Sequence, residues 1–239
     1  MPRRIVLATA GSLGDLHPFI ALGRALQARG YQAEIASSPE YGDKVRAEGL
    51  VFHAVGPGLE ALQAGMGMDA AELTRRVAGS NVFLFERIVL PHLEQAARDL
   101  VEVAAGASAI VGATFAAGAV MAAEILALPF IPVALQPAIV FSAWDPPRLP
   151  ATPWLAPAQG GLQLAMNRLT VAMARASTGR WTGPVDRIRG RMGLPPGKRN
   201  LLLDGMVGRP LSLGLYSPLL GQPQPELTAG LHRHRLCPL

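Results

Sequence analysis

Eight consecutive residues, Gly11-Ser12-Leu13-Gly14-Asp15-Leu16-His17-Pro18, hold the densest chemistry in the chain. Gly11 and Gly14 let a backbone turn sharply and come close to a ligand. A helix beginning just after them would present free N–H groups and a partial positive charge, which favour an anion such as a phosphate. Ser12 adds a hydroxyl donor. Asp15 has two readings that spacing alone leaves open. It is a base that takes a proton from a hydroxyl, or it caps a helix starting at Leu16 or His17, worth about 1 kcal/mol. A carboxylate in the crevice would repel a diphosphate lying directly on it, which suits a base for an acceptor hydroxyl. Neither a dinucleotide fingerprint nor a P-loop is satisfied: the spacing is not G-x-G-x-x-G, and no Gly-Lys-Ser/Thr follows.

The elements that must position this segment read as alternating strands and helices. Residues 4–10 form a continuous apolar run ending at Gly11, as a buried parallel strand does. A helix is predicted over 18–29, with Pro18 near its first turn, Phe19, Leu22, Gly23 and Leu26 at helical spacing, and Gly30 closing it. A strand over 32–37, a helix over 39–48 ended by Gly49, and a strand over 50–55 complete a doubly wound pattern. Asp15 then sits at the C-terminal edge of the sheet, where open α/β folds bind ligands. Residues 59–79 contain Gly65 and Gly67 and read as a loop with a weak helix. A long helix over 86–105 puts Leu93, Ala97, Leu100 and Val101 on one face. A strand over 109–113, a helix over 116–126 and a strand over 130–135 follow.

Residues 136–160 carry six prolines and read as a functional or linking stretch. Leu162, Ala165, Met166, Leu169, Ala172 and Met173 mark an amphipathic helix, with Met166 and Met173 read as core residues first and as wall of an apolar ligand's pocket second. A short helix over 185–192 and a last strand over 211–217 close a domain spanning 1–217, which includes the helical segment 161–193. Residues 218–239 read as an irregular tail.

Bulk properties narrow the class. Half of the 239 residues are apolar, 16% are charged and only 5% are aromatic, which suits helices packed on a parallel sheet. A lone cysteine, Cys237, makes no intrachain disulfide. His232 and His234 with Cys237 match no zinc module, and His53 reads as a strand residue. No metal is expected. The most apolar region, 104–140, is broken by Glu124, Pro129, Pro132 and Pro137, so buried elements are expected rather than a spanning helix. The glycine-rich start does not read as a signal peptide. A soluble, cytoplasmic protein is the expectation. Net charge is +5, yet residues 168–199 hold seven Arg and one Lys against Asp186 alone, a local +7. Such a stretch is a solvated helix face, or it holds a diphosphate or anionic lipid, the latter at a membrane's inner face. Nucleic acid is not expected, because no aromatic platform accompanies the charge.

The run Gly-Ser-Leu-Gly-Asp-Leu-His-Pro-Phe-Ile-Ala-Leu-Gly, from Gly11 to Gly23, resembles the opening loop of glycosyltransferase family 28 and UDP-glucosyltransferase-type enzymes. It is most similar to bacterial and fungal sterol, macrolide and glycopeptide glucosyltransferases. Ala21-Leu22-Gly23-Arg24-Ala25-Leu26 with Gly30, and Ala122-Ala123-Glu124 with Leu128-Pro129-Phe130, carry the resemblance further. It implies an α/β chain with a Rossmann-like doubly wound parallel sheet, the acceptor-binding N-terminal half of a GT-B fold. It also implies that Asp15 is catalytic and that Gly11, Ser12 and Gly14 face the donor diphosphate. No cofactor is implied; a nucleotide-diphosphate sugar is the co-substrate, and its hexose passes with inversion to a hydroxyl of a lipid, sterol or polyketide. His17, Phe83, Gln136 and Trp144, with Phe85, are the candidates for the apolar acceptor's site.

The chain departs from the pattern in two places. Plant-type relatives carry a second Asp beyond the fourth strand, where Val111-Gly112-Ala113-Thr114 stands here. The family's second, donor-binding domain is not matched, and the tail reads as truncated or frame-shifted sequence. A separate donor-binding chain is therefore an expected partner. A non-catalytic, partner-dependent acceptor-binding half is the alternative. An NAD(P)-dependent oxidoreductase fits less well, since no acid ends the second strand at 35–38.

Overall fold

A computed structural model of the chain describes residues 3–139, 142–146, 152, 154–197, 211–217 and 231–233. The chain divides into two units, one of Met1–Phe130 with Arg187–Pro196, the other of Ile131–Asp186 with Gly197–Leu239.

The first unit opens with β1 (Arg4–Ala8), α1 (Leu13–Gln27), β2 (Gln32–Ser37), α2 (Gly42–Ala47) and β3 (Val51–Ala54). After α3 (Leu59–Met66), α4 (Ala70–Gly79) and a short helical turn α5 (Asn81–Phe83) come α6 (Leu90–Ala104), β4 (Ala109–Ala113) and α7 (Gly118–Ile125). β1 is central: it pairs in parallel with β2 on one side and β4 on the other, and β2 pairs in parallel with β3. The chain thus winds outward from β1 through β2 to β3, then crosses back to β4, so β1 and β4 flank the point where winding reverses.

Alternation along β1 builds a layer on each face. Val6 and Ala8, with Ala36 of β2, pack against Leu100 and Ala104 of α6 and Ala119, Ala122 and Ala123 of α7. Leu7 points the other way, toward α1: a Cβ on Gly23 would lie 3.3 Å from Leu7 Cδ1 and 3.1 Å from Leu50 Cδ1. Small residues set the spacing of the helices as well. A Cβ on Gly118 would meet the Ala97 backbone nitrogen at 2.8 Å, so α7 approaches α6 more closely than any side chain allows.

Two segments depart from expectation in this unit. Residues 59–79 form two helices rather than a loop with one weak helix: Gly67 ends α3 at φ +62°, and Asp69 caps α4 by accepting from the Glu72 N–H at 2.8 Å. The helix expected over 86–105 begins with a π-helical turn, Leu84–Val89, and becomes α-helical at Leu90. Pro91, with no N–H to give, stands in the first turn of α6, where none is needed.

The second unit holds β5 (Phe130–Ala134) from Ile131 onward, α8 (Gly161–Thr178), the start of α9 (Thr182–Arg191), β6 (Ser212–Gly214) and β7 (Leu231–Arg233). β6 pairs in parallel with β5 and with β7, so part of the stretch read as an irregular tail is a strand. The expected core face of α8 is turned outward. Leu162, Met166, Leu169 and Met173 are exposed, and the residue buried is Asn167, whose side-chain amide donates to the Ala143 and Ala156 carbonyls at 2.8 Å each. Two satisfied hydrogen bonds from a fully buried amide fix which side of the helix faces inward.

The basic stretch is less uniform than its charge suggests. Arg189, buried, donates to Glu124 at 2.6 Å and to the Pro195 carbonyl at 2.7 Å, and Arg191 donates to Glu94 at 2.7 Å. Hydrogen bonds from Arg98 and Arg191 hold the Glu94 carboxyl below its ordinary range. Lys198 and Arg199 lie outside the described residues.

Candidate functional site

The loop leaving β1 turns at Gly11, whose φ of +133° an L side chain rarely adopts. The turn also has no room for a side chain, since a Cβ there would stand 2.3 Å from Asp15 Oδ2. Two residues on, α1 begins at Leu13, not at residue 18. The N-cap is therefore Ser12, and Asp15 is the helix's third residue rather than its cap.

Ser12 and Asp15 form a reciprocal capping box. The Ser12 hydroxyl accepts from the Gly14 N–H at 3.2 Å. Asp15 Oδ2 accepts from the Ser12 N–H at 2.8 Å and from the Ser12 hydroxyl at 3.0 Å. Among the described residues no hydrogen bond falls on Asp15 Oδ1. Asp15 is half-buried, and Gly11, Ser12, Gly14 and His17 are exposed. The four residues expected to carry donor and acid–base chemistry are thus brought together, on the first turn of a helix and beside the point where winding reverses. A carboxylate at this end is favoured by the helix's partial positive charge.

Two residues that sequence reading did not single out support the loop. The Tyr41 hydroxyl donates to the Gly11 carbonyl at 2.8 Å, from a 3-10 turn (Pro39–Tyr41) after β2. Burial, then the charges of Glu40 and Asp15, push the Tyr41 phenol above its ordinary pKa. The Thr9 hydroxyl donates to the Asp15 carbonyl at 3.3 Å, while the Thr9 N–H donates to the Ala36 carbonyl at 3.0 Å. Loop and helix start are thereby tied to β2. Only the S-x-x-D pattern of the box was visible locally; Tyr41 is 30 residues from its partner.

The expected acceptor residues fall in both units. His17 follows Asp15 by two residues on α1. Phe83 is half-buried in the first unit, with the Arg76 guanidinium 5.8 Å from its ring centroid. Phe85, at 1% exposure, is a core residue and lines no open cleft. Gln136 is exposed and Trp144 half-buried, both in the second unit; the Trp144 N–H donates to Ser142 Oγ at 3.1 Å and its carbonyl accepts from Ala158 at 2.7 Å.

Comparison with known proteins fits this geometry. Residues 5–142 match the family described as glycosyltransferase family 28 N-terminal domain. Glycosyltransferase GtfC of Amycolatopsis orientalis is 33% identical over 140 residues, covering 56% of this chain and 31% of GtfC. A sterol 3-beta-glucosyltransferase of Eremothecium gossypii is 45% identical over 49 residues, 20% of this chain and 4% of the enzyme. The solved structure of glycosyltransferase VinC in complex with dTDP superposes with a TM-score of 0.57 at 17% identity, covering 93% of this chain and 51% of VinC. That likeness is one of fold. The chain thus spans about half or less of the length of the proteins it matches.

Proposed function

The chain belongs to glycosyltransferase family 28 through its N-terminal domain, and on that premise we propose that it forms the acceptor side of an inverting sugar transfer. The donor would be a nucleotide-diphosphate sugar, and the acceptor a hydroxyl on an apolar molecule such as a lipid, sterol or polyketide. The observation that carries this reading is the division of labour within Asp15: Oδ2 is held by Ser12, and Oδ1 carries no hydrogen bond among the described residues. Oδ1 would take the proton as the acceptor oxygen bonds to the anomeric carbon and the bond from that carbon to the diphosphate oxygen breaks. Gly11, Ser12 and Gly14 would lie against the diphosphate, with the exposed backbone of the first helical turn offering N–H groups. His17, Phe83, Gln136 and Trp144 would contribute to the acceptor's site.

Contacts to the donor's base and sugar would come from a second domain or a separate chain. The apolar acceptor class also favours peripheral contact with a membrane. Among the described residues no helix is long and apolar enough to cross one.

The capping box itself favours a second reading, in which the chain is a non-catalytic acceptor-binding half and Asp15 only starts α1. Turnover of Asp15→Asn, measured wherever the donor-binding half is supplied, separates the two. A fall of about 10²–10⁴-fold is expected for a lost general base. Unchanged turnover would return Asp15 to a purely structural role.

A further inference from the structure

We propose that Asn167 of α8 is a positioning residue for the acceptor's site: it ties the two ends of the proline-rich stretch together and so fixes Trp144 where the indole meets an apolar acceptor. The inference rests on the sugar-transfer reading of Trp144 and adds a residue that acts on the acceptor only through the backbone.

The stretch around Trp144 cannot hold itself. Residues 145–158 include five prolines, which give no N–H, and among its described residues no strand or α-helix forms. Its order comes from α8. The Asn167 amide donates at 2.8 Å to the Ala143 carbonyl, immediately before Trp144, and at 2.8 Å to the Ala156 carbonyl at the far end of the stretch. An amide NH₂ has two N–H groups, so one side chain spans the neck of the loop. Gln163, one turn earlier on α8, donates to Asn167 Oδ1 at 2.9 Å and so orients that amide. The Ala158 N–H closes the neck from the other side by donating to the Trp144 carbonyl at 2.7 Å, and the Trp144 N–H donates to Ser142 Oγ at 3.1 Å. Both peptide groups flanking the Trp144 side chain are thereby tied down.

Burial separates the support from what it presents. Asn167, Ser142, Ala143 and Leu155 are buried, whereas Trp144 is half-buried. An indole partly open to solvent on a backbone this firmly held is a preorganised apolar platform, with little ordering left to do when a ligand arrives. A leucine at 167 would pack the same face of α8 yet leave both carbonyls without a partner. What asparagine supplies, and an apolar core residue does not, is the closure of the neck beside Trp144.

The test uses the 239-residue chain with fluorotryptophan at its three tryptophans, read by fluorine NMR, and calorimetry with three probes: cholesterol, dodecanol and the macrolide aglycone erythronolide B. At least one probe is expected to shift the Trp144 resonance while leaving that of buried Trp181 in place. Asn167→Leu should weaken that probe by roughly tenfold or more, with the Trp181 resonance unmoved. Gln163→Ala frees the amide but keeps the two bonds of the neck; it should weaken the probe less, and it decides the matter if Asn167→Leu does not fold. Trp144→Ala should weaken the probe as well, and adding Asn167→Leu to it should cost nothing more, because the one residue acts through the other. Affinity unchanged in Asn167→Leu and Gln163→Ala, or additive losses in the double variant, would overturn the proposal while leaving Trp144 in the acceptor's site. A Trp144 resonance that no probe moves in the parent would instead remove Trp144 from that site, and the proposal with it.

Discussion

Asp15 Oδ2 receives both the backbone N–H and the hydroxyl of Ser12, at 2.8 and 3.0 Å, while the Ser12 oxygen receives the Gly14 N–H. The proposed base is therefore oriented by the same residue that starts its helix. Fold and chemistry share one set of bonds here, and substitutions can be chosen to separate them.

Ser12→Ala removes the N-cap acceptor and one of the two bonds to Oδ2. A stability loss of about 0.5–2 kcal/mol in urea denaturation is expected, the usual worth of such a cap. Turnover in the donor-supplied enzyme should fall as well, by less than in Asp15→Asn, because the Ser12 N–H still holds the carboxylate. Asp15→Asn keeps an oxygen acceptor in place and should lose less stability than Ser12→Ala. The reverse ranking in stability would show that the box does not set the helix start.

Tyr41 gives the loop a dependence on alkaline pH. Its folded pKa is raised, first by burial and then by Glu40 and Asp15, so the folded state keeps the phenol proton longer than the unfolded chain does. The resulting stability is fully present below the unfolded value of about 10 and is lost as pH rises through the folded one. Deprotonation also removes the donor that holds the Gly11 carbonyl. Phenolate absorbance should show one of the three tyrosines titrating late, and Tyr41→Phe should abolish that phase. A late phase that survives the substitution would assign it to Tyr31 or Tyr216.

How far the sequence revealed the structure follows from the range of the interactions involved. Strands at 32–37 and 109–113 were legible to the residue because apolar runs bounded by turn residues are local signals. The turn between β1 and α1 was legible from Gly11 and Gly14, which are local signals too. The start of α1 was misplaced because Pro18 was read as marking the first turn and Asp15 as a possible cap, whereas Ser12 is the cap and Asp15 its partner in the box. The orientation of α8 was not legible: periodicity gives an apolar stripe but not the side on which a chain elsewhere supplies carbonyls for Asn167. Tyr41 and Thr9 were missed because their partners are fixed only once β2 lies beside β1.

Beneath the other end of the sheet, Glu34 joins three elements. Almost fully buried, it accepts from Arg4 at 3.0 Å, Gln32 at 2.8 Å and His53 at 2.8 Å, and Arg4 donates onward to the Val103 carbonyl at 3.0 Å. Glu34→Ala would leave the Arg4 guanidinium without its counter-charge, though still bonded to the Val103 and Ala105 carbonyls, and a loss of about 1–3 kcal/mol is expected in urea denaturation. Glu34→Gln should recover part of it by keeping an acceptor. A loss within ~0.5 kcal/mol for Glu34→Ala, typical of a surface site, would show the cluster to be energetically idle.

The two glycines of the loop should respond in opposite ways to the same added methyl group. At Gly11 the backbone lies at φ +133° and the new Cβ would collide with Asp15 Oδ2 at 2.3 Å, so Gly11→Ala must displace either the turn or the carboxylate. A stability loss of about 1–3 kcal/mol is expected, together with loss of turnover. Gly14 instead lies within α1, and its added Cβ would meet only Ser12 Oγ at 3.4 Å, an ordinary contact. Gly14→Ala should therefore leave stability unchanged or raise it by up to about 1 kcal/mol, since alanine favours the helix. If Gly14 lets the donor diphosphate approach the first turn, that stable variant should still lose donor affinity, measured by calorimetry with UDP- and dTDP-sugars in the donor-supplied enzyme. A stabilised Gly14→Ala that binds donor as tightly as the parent would remove Gly14 from the phosphate site while leaving Asp15 untouched.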